Sequence, residues 1–303
     1  MKTDPSFAFP RASVADSSGA AAMKLRRFLS IPIISVLILK GVLYYVTVFI
    51  FIEDWMSLQS SAGSLNALIF TFFASLCVFC YFVCVLKDPG SVPSSYVPDV
   101  EEPQLSDQES GRIGILQARK CEKCSAYKPP RAHHCRICKT CILRMDHHCL
   151  WINNCVGHRN YKPFVLLVFY STIASTYSLI MLISSIVNKD WSSADVSGWS
   201  PLWIFYVTCG VMIVGLTVTL ATLLGWHIYL TVHNMTTIEY YEASRAAWLA
   251  RKSGVAYRHA FDVGTHRNIA LVLGPNMLKW LCPTAINHVK DGLDFPASRD
   301  NNS

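Results

Sequence analysis

Residues 121–155 read CEKCSAYKPPRAHHCRICKTCILRMDHHCLWINNC, and this stretch decides how the chain is interpreted. It holds seven cysteines together with four histidines: His133, His134, His147 and His148. Two CxxC pairs, which begin at Cys121 and Cys135, each present two sulfurs to one ion, as zinc knuckles do. Two tetrahedral zinc sites need eight ligands, so some of these side chains are left for another task.

Four long apolar runs flank this stretch, two on each side: 31–52, 65–86, 164–187 and 202–230. A helix needs about 20 apolar residues to cross a bilayer. The chain is 52% hydrophobic and 16% charged, and the charged fraction lies below the roughly 25% of soluble domains. The sequence predicts an all-α polytopic membrane protein with a cysteine-rich module of short β-hairpins between helices two and three. Lys40 interrupts the first run, so it either snorkels or precedes the true span.

This layout divides the chain into five segments. They are an N-terminal segment, a first helix pair, a loop with the zinc module at about 119–163, a second helix pair and a C-terminal segment: 1–30, 31–86, 87–163, 164–230 and 231–303. Stretches rich in Ser, Pro, Ala or acidic residues predict disorder or flexible linkers: 1–22, 91–110 and 291–303.

Lysine and arginine residues predict the orientation in the membrane. Residues 53–64 contain neither, and residues 188–201 contain only Lys189, whereas the other segments outside the apolar runs are rich in both. The positive-inside rule then places both termini and the cysteine-rich loop in the cytosol. Thiols stay reduced there, so the cysteines indicate metal binding or catalysis rather than disulfides. The net charge of +7 follows from this layout, and we expect no nucleic-acid partner.

The spare thiol has neighbours that suggest chemistry. Asp146, His147 and His148 directly precede Cys149. A histidine can take the proton of a thiol, and an aspartate can orient that histidine. A nucleophilic cysteine beside membrane helices points to acyl transfer through a thioester. Spacing alone leaves open whether Cys141 or Cys155 is the spare cysteine instead.

The pattern C-x2-C-x9-HC-x2-C-x2-C-x4-DHHC-x5-C-x4-N-x3-F runs from Cys121 to Phe164, and it resembles the DHHC protein S-acyltransferases (palmitoyltransferases). Smaller motifs of that family match as well: Asp88-Pro89-Gly90, the TTxE motif Thr236–Glu239, and a C-terminal motif at 261–274 that contains Asn268. The resemblance covers residues 26–283.

The resemblance implies two interleaved, structural zinc sites. Their ligand sets would be Cys121, Cys124, His134 and Cys141 for the first ion, and Cys135, Cys138, His148 and Cys155 for the second. It implies that Cys149 is the nucleophile, that His147 is the base and that Asp146 orients it. By the same resemblance, Thr237 and Asn268 help to seat the catalytic loop.

The implied reaction has two steps. Cys149 takes a long-chain acyl group from acyl-CoA, palmitoyl-CoA foremost, and passes it to a cytosol-facing cysteine of a membrane-associated protein. The basic cluster of Lys128, Arg131 and His133 is a candidate for the CoA phosphates, which favour charge-assisted contacts. Cys282, after the last apolar stretch, is a candidate for lipidation.

Other classes explain less of the sequence. A zinc-finger membrane adaptor without chemistry needs the eight ligands but not Asp146, His147 and Cys149, and replacing Cys149 would separate the two hypotheses. A metal transporter needs facing ionisable residues within its spans, which are nearly absent here. For location we expect the Golgi first, then the endoplasmic reticulum or plasma membrane.

Overall fold

The computed structural model describes residues 30–98, 119–192, 195 and 200–298. The predicted disordered segment 1–22 lies outside these residues. So do residues 99–110 of the predicted linker and residues 299–303 of the tail.

Four long helices carry the apolar runs, and their length and composition suit membrane spans. They are α1 (Ile31–Met56, with a π-helical turn at Thr47–Ile52), α2 (Ser61–Leu86), α3 (Tyr161–Asn188) and α4 (Pro201–Val232). Ser60 and Ser200 start α2 and α4, because their hydroxyls accept hydrogen bonds from the backbone N–H groups three residues on. The fold class predicted from the sequence is confirmed.

Helix α3 lies between α2 and α4 and packs along both. Polar pairs inside the bundle bond to each other, as at Thr47 and Ser178, whose hydroxyls are 2.7 Å apart. Large apolar side chains point outward from all four helices, for example Ile38, Leu68, Ile183 and Val211. An outward apolar belt of this size is what lipid covers in a membrane protein.

Lys40 departs from both expectations. Helix α1 begins before it, at Ile31, so the span does not start later. The side chain points into the bundle rather than towards the interface: its Nζ lies 2.7 Å from Cys77 Sγ and 5.8 Å from the centre of the Tyr81 ring. The hydrogen bond to Cys77 and the cation–π contact with Tyr81 stabilise the ammonium group within the apolar bundle.

The cysteine-rich module consists of three antiparallel hairpins in series. Strand β1 pairs with β2, β3 with β4 and β5 with β6: Arg119–Cys121, Ala126–Lys128, His133–Cys135, Thr140–Ile142, His147–Cys149 and Asn154–Val156. Each strand has only three residues, which is too short for stability by pairing alone. The module therefore depends on cross-links between its hairpins.

The module is fastened to the C-terminal end of α2. The Asn154 side-chain amide donates hydrogen bonds to the backbone carbonyls of Cys84 (3.0 Å) and Lys87 (2.9 Å). The Tyr81 hydroxyl donates to the carbonyl of Trp151 at 2.9 Å. Gly90 of the DPG motif, with φ of +100°, accepts from the Leu143 N–H at 2.8 Å. A left-handed φ of this kind favours glycine.

The C-terminal segment folds back onto the start of α3. It contains α5 (Thr237–Lys252), α6 (Thr265–Leu273) and a 3-10 turn at Met277–Lys279. The buried ammonium group of Lys162 donates hydrogen bonds of 2.8–2.9 Å to three backbone carbonyls of this segment: Leu273, Lys279 and Ala285. One lysine thus satisfies acceptors that would otherwise need water.

Replacing Lys162 with Met removes the donor but keeps much of the apolar stem. We expect residues 273–285 to exchange backbone hydrogens faster and to be cut more readily by protease, while α1 and α2 are unaffected. Hydrogen-exchange mass spectrometry of the detergent-solubilised protein measures this. Lys279→Met is the matched control, because that side chain is exposed. Equal exchange in wild type and the Lys162 variant would contradict the anchoring role.

Candidate functional site: the cysteine-rich module and its membrane face

The first metal cluster joins the first two hairpins. Cys121 and Cys124 lie at the first turn, and His134 and Cys141 are cross-strand partners in the second hairpin. The His134 Nδ1 atom lies 3.6, 3.2 and 3.8 Å from the three sulfurs. Zinc–sulfur bonds of about 2.3 Å and zinc–nitrogen bonds of about 2.0–2.1 Å predict nitrogen–sulfur edges of about 3.5 Å in a tetrahedron, so these donors fit a four-coordinate zinc ion.

The second cluster repeats this arrangement one hairpin later. Cys135 and Cys138 lie at the second turn, and His148 and Cys155 are cross-strand partners in the third hairpin. The His148 Nδ1 atom lies 3.6, 3.4 and 3.5 Å from the three sulfurs. Each cluster brings together the four residues that the resemblance implied, and each would surround an ion with protein donors alone.

The two knuckles have the same local backbone. Ser125 follows the first CxxC with φ of 51°, and Lys139 follows the second with φ of 55°. The left-handed residue turns the chain back so that both sulfurs of a knuckle face the same point. Because each ion would tie one hairpin's turn to the next hairpin's strands, the two ions would supply the cross-links that three-residue strands lack.

Strand β5 carries one donor of the second metal cluster, His148, and two side chains that are available for chemistry, His147 and Cys149. Successive side chains of a strand point to opposite faces. His148 therefore faces the second cluster, whereas His147 and Cys149 share the other face. Cys149 is buried, 9% exposed, and belongs to the apolar cluster formed with Tyr161 and Phe164 of α3.

Asp146 is enclosed by donors. Its Oδ2 accepts a hydrogen bond from His147 Nδ1 at 2.6 Å. The backbone N–H and the hydroxyl of Thr237 donate to its two oxygens, both at 2.9 Å. Burial raises the pKa of Asp146, but the bonds from His147 and Thr237 outweigh it, and the pKa lies below its ordinary value. The carboxylate therefore stays charged beside His147.

The pKa of His147 is shifted by Asp146 and by Cys149. Burial lowers it, but the hydrogen bond to Asp146 and the interaction with the Cys149 side chain together raise it to about 9. The pair thus makes His147 a stronger base than an ordinary imidazole. The Phe164 ring also meets the His147 ring edge to face, with centroids 5.2 Å apart.

The TTxE motif presents a helix N-terminus to Asp146. Thr236 caps α5: its hydroxyl accepts from the Glu239 N–H, and the Glu239 carboxylate accepts from the Thr236 N–H, which completes a capping box. Thr237 is the first helical residue, so its free N–H is directed at the Asp146 carboxylate. Each polar residue of the motif thus has a distinct partner.

Glu239 also forms a buried ion pair with the module. Arg131 donates two hydrogen bonds to its carboxylate, at 2.6 and 2.7 Å, and a third to the Asn234 carbonyl at 2.7 Å. The rings of Phe261 and Phe295 lie 4.5 and 4.9 Å from the guanidinium carbon. Burial raises the pKa of Glu239, but Arg131 more than compensates, and the pKa falls to about 2.

This geometry corrects one part of the predicted CoA site. The Arg131 side chain is 1% exposed and its donors are engaged by Glu239 and Asn234, so it does not present a cation to a phosphate in solvent. Lys128 is partly exposed and remains free for that role. His133 is also partly exposed; burial and the nearby cations Arg119 and Lys128 lower its pKa, against the raising effect of two glutamates.

Sequence reasoning did not identify two buried groups around the site, Arg144 and His227. Arg144 bonds the Asn234 side chain, and its guanidinium lies 4.8 Å from the Tyr161 ring. His227 of α4 has a polar atom within 4.8 Å of those of Asp146 and His147. Because the Asp146 oxygens already accept from His147 and Thr237, we interpret this group as a hydrogen-bonded cluster rather than a metal site.

Replacing Glu239 with Gln leaves the buried Arg131 charge without its counter-ion. Loss of one partner from a buried ion pair destabilises a protein by about 3–5 kcal/mol. A carboxylate with a depressed pKa contributes stability above its ordinary pKa of 4.5 and loses it as the pH falls towards 2, so the full effect is expected at pH 7. We expect a lower midpoint of thermal unfolding and faster zinc release. Exposed Glu242→Gln is the control, and an unchanged midpoint for Glu239→Gln would refute the role of the pair.

Comparison with known proteins finds similarity over the module and over most of the chain. The family model described as DHHC palmitoyltransferase matches residues 115–244. The chain is 58% identical over 261 residues to probable protein S-acyltransferase 15 from Arabidopsis thaliana, covering 86% of this chain and 99% of that protein. It is 48% identical to probable protein S-acyltransferase 16 from the same plant, covering 89% and 94%. Palmitoyltransferase ZDHHC15 from Mus musculus is 33% identical over 68% of this chain and 60% of that protein.

The DHHC block, the paired cysteine–histidine clusters beside it and the four apolar helices around it occur here together with near full-length similarity to these enzymes. The chain belongs to the DHHC family of protein S-acyltransferases.

Proposed function

We propose that this S-acyltransferase carries a long-chain acyl group, palmitoyl foremost, from acyl-CoA to protein cysteines on Cys149. The observation that supports this most strongly is the Asp146–His147 hydrogen bond of 2.6 Å, with His147 on the same strand face as a cysteine that neither metal cluster includes. Cys149 also borders the apolar cluster of the membrane helices, where an acyl chain has shelter from water.

In the first step, the sulfur of Cys149 gives its proton to His147 and attacks the carbonyl carbon of the acyl-CoA thioester. The carbon–sulfur bond to CoA breaks, and the CoA sulfur takes the proton from His147. The charged Asp146 carboxylate stabilises the His147 cation while it holds that proton. The product is an acyl group in thioester linkage to Cys149.

In the second step, His147 takes the proton of a substrate cysteine. The substrate sulfur attacks the acyl carbonyl carbon, the bond to Cys149 breaks, and Cys149 regains a proton from His147. One thioester is exchanged for another, so no further reactant is required. Storing the chain on Cys149 allows the two substrates to bind one after the other.

Two zinc ions, held by the two clusters of four donors, would fix the three hairpins and so place His147 and Cys149. Zinc enclosed by four protein ligands has no open position for substrate and acts structurally. The ligands are those of the clusters described above: Cys121, Cys124, His134 and Cys141, and Cys135, Cys138, His148 and Cys155.

Acyl-CoA meets the enzyme where the module adjoins the bilayer. Lys128, with His133 beside it, is our candidate for the CoA phosphates, now without Arg131. The protein substrates are membrane-associated and carry cysteines on the cytosolic side. The arginine and lysine distribution supports cytosolic termini, and the Golgi is our first choice of compartment.

Replacing Cys149 with Ser removes the thiol at nearly constant volume. We expect the wild type, purified in detergent, to gain label from labelled palmitoyl-CoA that neutral hydroxylamine releases, and the variant to gain none. Cys209→Ser is the control, a buried cysteine on α4. Label that persists on the Cys149 variant would show that another cysteine is the nucleophile.

Replacing Lys128 with Glu reverses one charge at the candidate phosphate contact. We expect the apparent KM for palmitoyl-CoA to rise about tenfold, because a charged hydrogen bond contributes about 1.5–3 kcal/mol, while the loading rate at saturation is retained. Exposed Lys120→Glu on the preceding strand is the comparison. Equal KM values for the two variants would remove Lys128 from the site.

A further inference from the structure

His227 is a buried imidazole that the two steps above do not use. It lies near the cytosolic end of α4 and is 1% exposed. Its Nδ1 atom lies 3.2 Å from the hydroxyl of Tyr161, the first residue of α3, which is 2% exposed. Buried polar groups of this kind need partners, and here each is the partner of the other.

The His227 ring faces the catalytic pair from the membrane side. One of its polar atoms lies within 4.8 Å of the corresponding atoms of Asp146 and His147. Its centroid is 6.1 Å from that of the His147 ring. Phe164 meets both imidazoles edge to face, at 5.2 Å from His147 and 5.1 Å from His227. Asp146, His147, Phe164 and His227 therefore form one packed group of side chains.

The packing bears on how His147 works. With Nδ1 committed to Asp146, the opposite nitrogen is the one left to exchange a proton with Cys149. A turn of the ring about its terminal torsion, which is soft in histidine, would break both relations at once. Asp146 restrains one edge of the ring, and Phe164 and His227 fill the adjoining space on the side of α3 and α4.

We propose that His227, held in place by Tyr161, is a positioning residue that keeps the His147 ring aligned between Asp146 and Cys149. The inference rests on the proposed roles of those three residues. It assigns to α4 a direct part in acyl transfer: the helix reaches the reacting groups through the imidazole of His227 as well as through the TTxE segment that follows it.

Loss of alignment affects the chemical step rather than the binding of acyl-CoA. Misplacement of a catalytic group by about 1 Å can lower a rate by 10²-fold. For His227→Phe, which fills the space but cannot bond Tyr161, we expect the loading rate at saturating palmitoyl-CoA to fall ten- to a hundredfold. The apparent KM should change by less than about twofold.

The test uses the full chain in detergent, with His227→Phe, Tyr161→Phe and the double variant. We expect each single variant to lose the same factor in loading rate. The double variant should lose little more than either, because both break one interaction. His227→Gln, whose amide can bond Tyr161, should recover part of the rate. Thermal midpoint and zinc content should match wild type, and His233→Asn, at the exposed end of α4, should load normally.

Three results would overturn the proposal. One is a wild-type loading rate for His227→Phe. Another is a rate that falls only in step with zinc content or thermal midpoint, which would indicate a purely structural role. The third is independent, multiplying losses for Tyr161→Phe and His227→Phe. Cys149→Ser, assayed in parallel, distinguishes failure of the proposed function from failure of this inference. Label on Cys149→Ser would refute the proposed nucleophile. An inactive Cys149→Ser together with a normal loading rate for His227→Phe would refute only the positioning role of His227.

Discussion

The alternation of side chains along a three-residue strand is the constraint on which the site depends. In β5, His148 must face the metal cluster while its neighbours His147 and Cys149 face away from it. A helix or an irregular loop would not separate consecutive residues in this way. The three-residue strand is too short to be stable by pairing alone, so metal cross-links at the two clusters of donors would stabilise its geometry. In the proposed mechanism, metal binding and catalysis would therefore be coupled through a single strand, although the proposed ligands take no part in the chemistry.

A second set of contacts orients the module relative to the membrane helices. Glu239 caps α5 and pairs with Arg131, so the same carboxylate stabilises the helix start and attaches the helix to the module. The helix start then directs Thr237 at Asp146. Replacing a buried ion pair with apolar residues is often neutral for stability, so the function of this pair lies in its geometry: it fixes where the N–H groups of α5 point. Arg131 and Glu239 are 108 residues apart in the sequence, so only the tertiary fold brings them into contact.

The sequence predicted the features that local patterns encode. Hydropathy gave the four helices, and CxxC spacing with the family pattern gave the donor groups that the structure brings together. Pattern reasoning failed where a residue's role depends on a distant partner. Arg131 looked like a solvated phosphate ligand because Glu239 is not its neighbour in sequence. His227 lies within one apolar run and received no prediction, and Lys40 interrupts another; the groups that contact them lie on other helices.

The position of Cys149 explains why the catalytic module and the membrane bundle are one unit. Each methylene removed from water contributes about 0.8 kcal/mol, so an acyl chain is held far better beside the helices than on an exposed loop. In the proposed mechanism, the nucleophile Cys149 therefore has to lie at the boundary between a polar hairpin and an apolar bundle. Asn154 and Tyr81 tie the hairpin to α2. Helix α3 begins five residues after β6 ends, and its first turn contains Tyr161, Lys162 and Phe164. These three residues contact the bundle, the C-terminal segment and the proposed base His147, so the helices set the module's geometry as much as its donor clusters do.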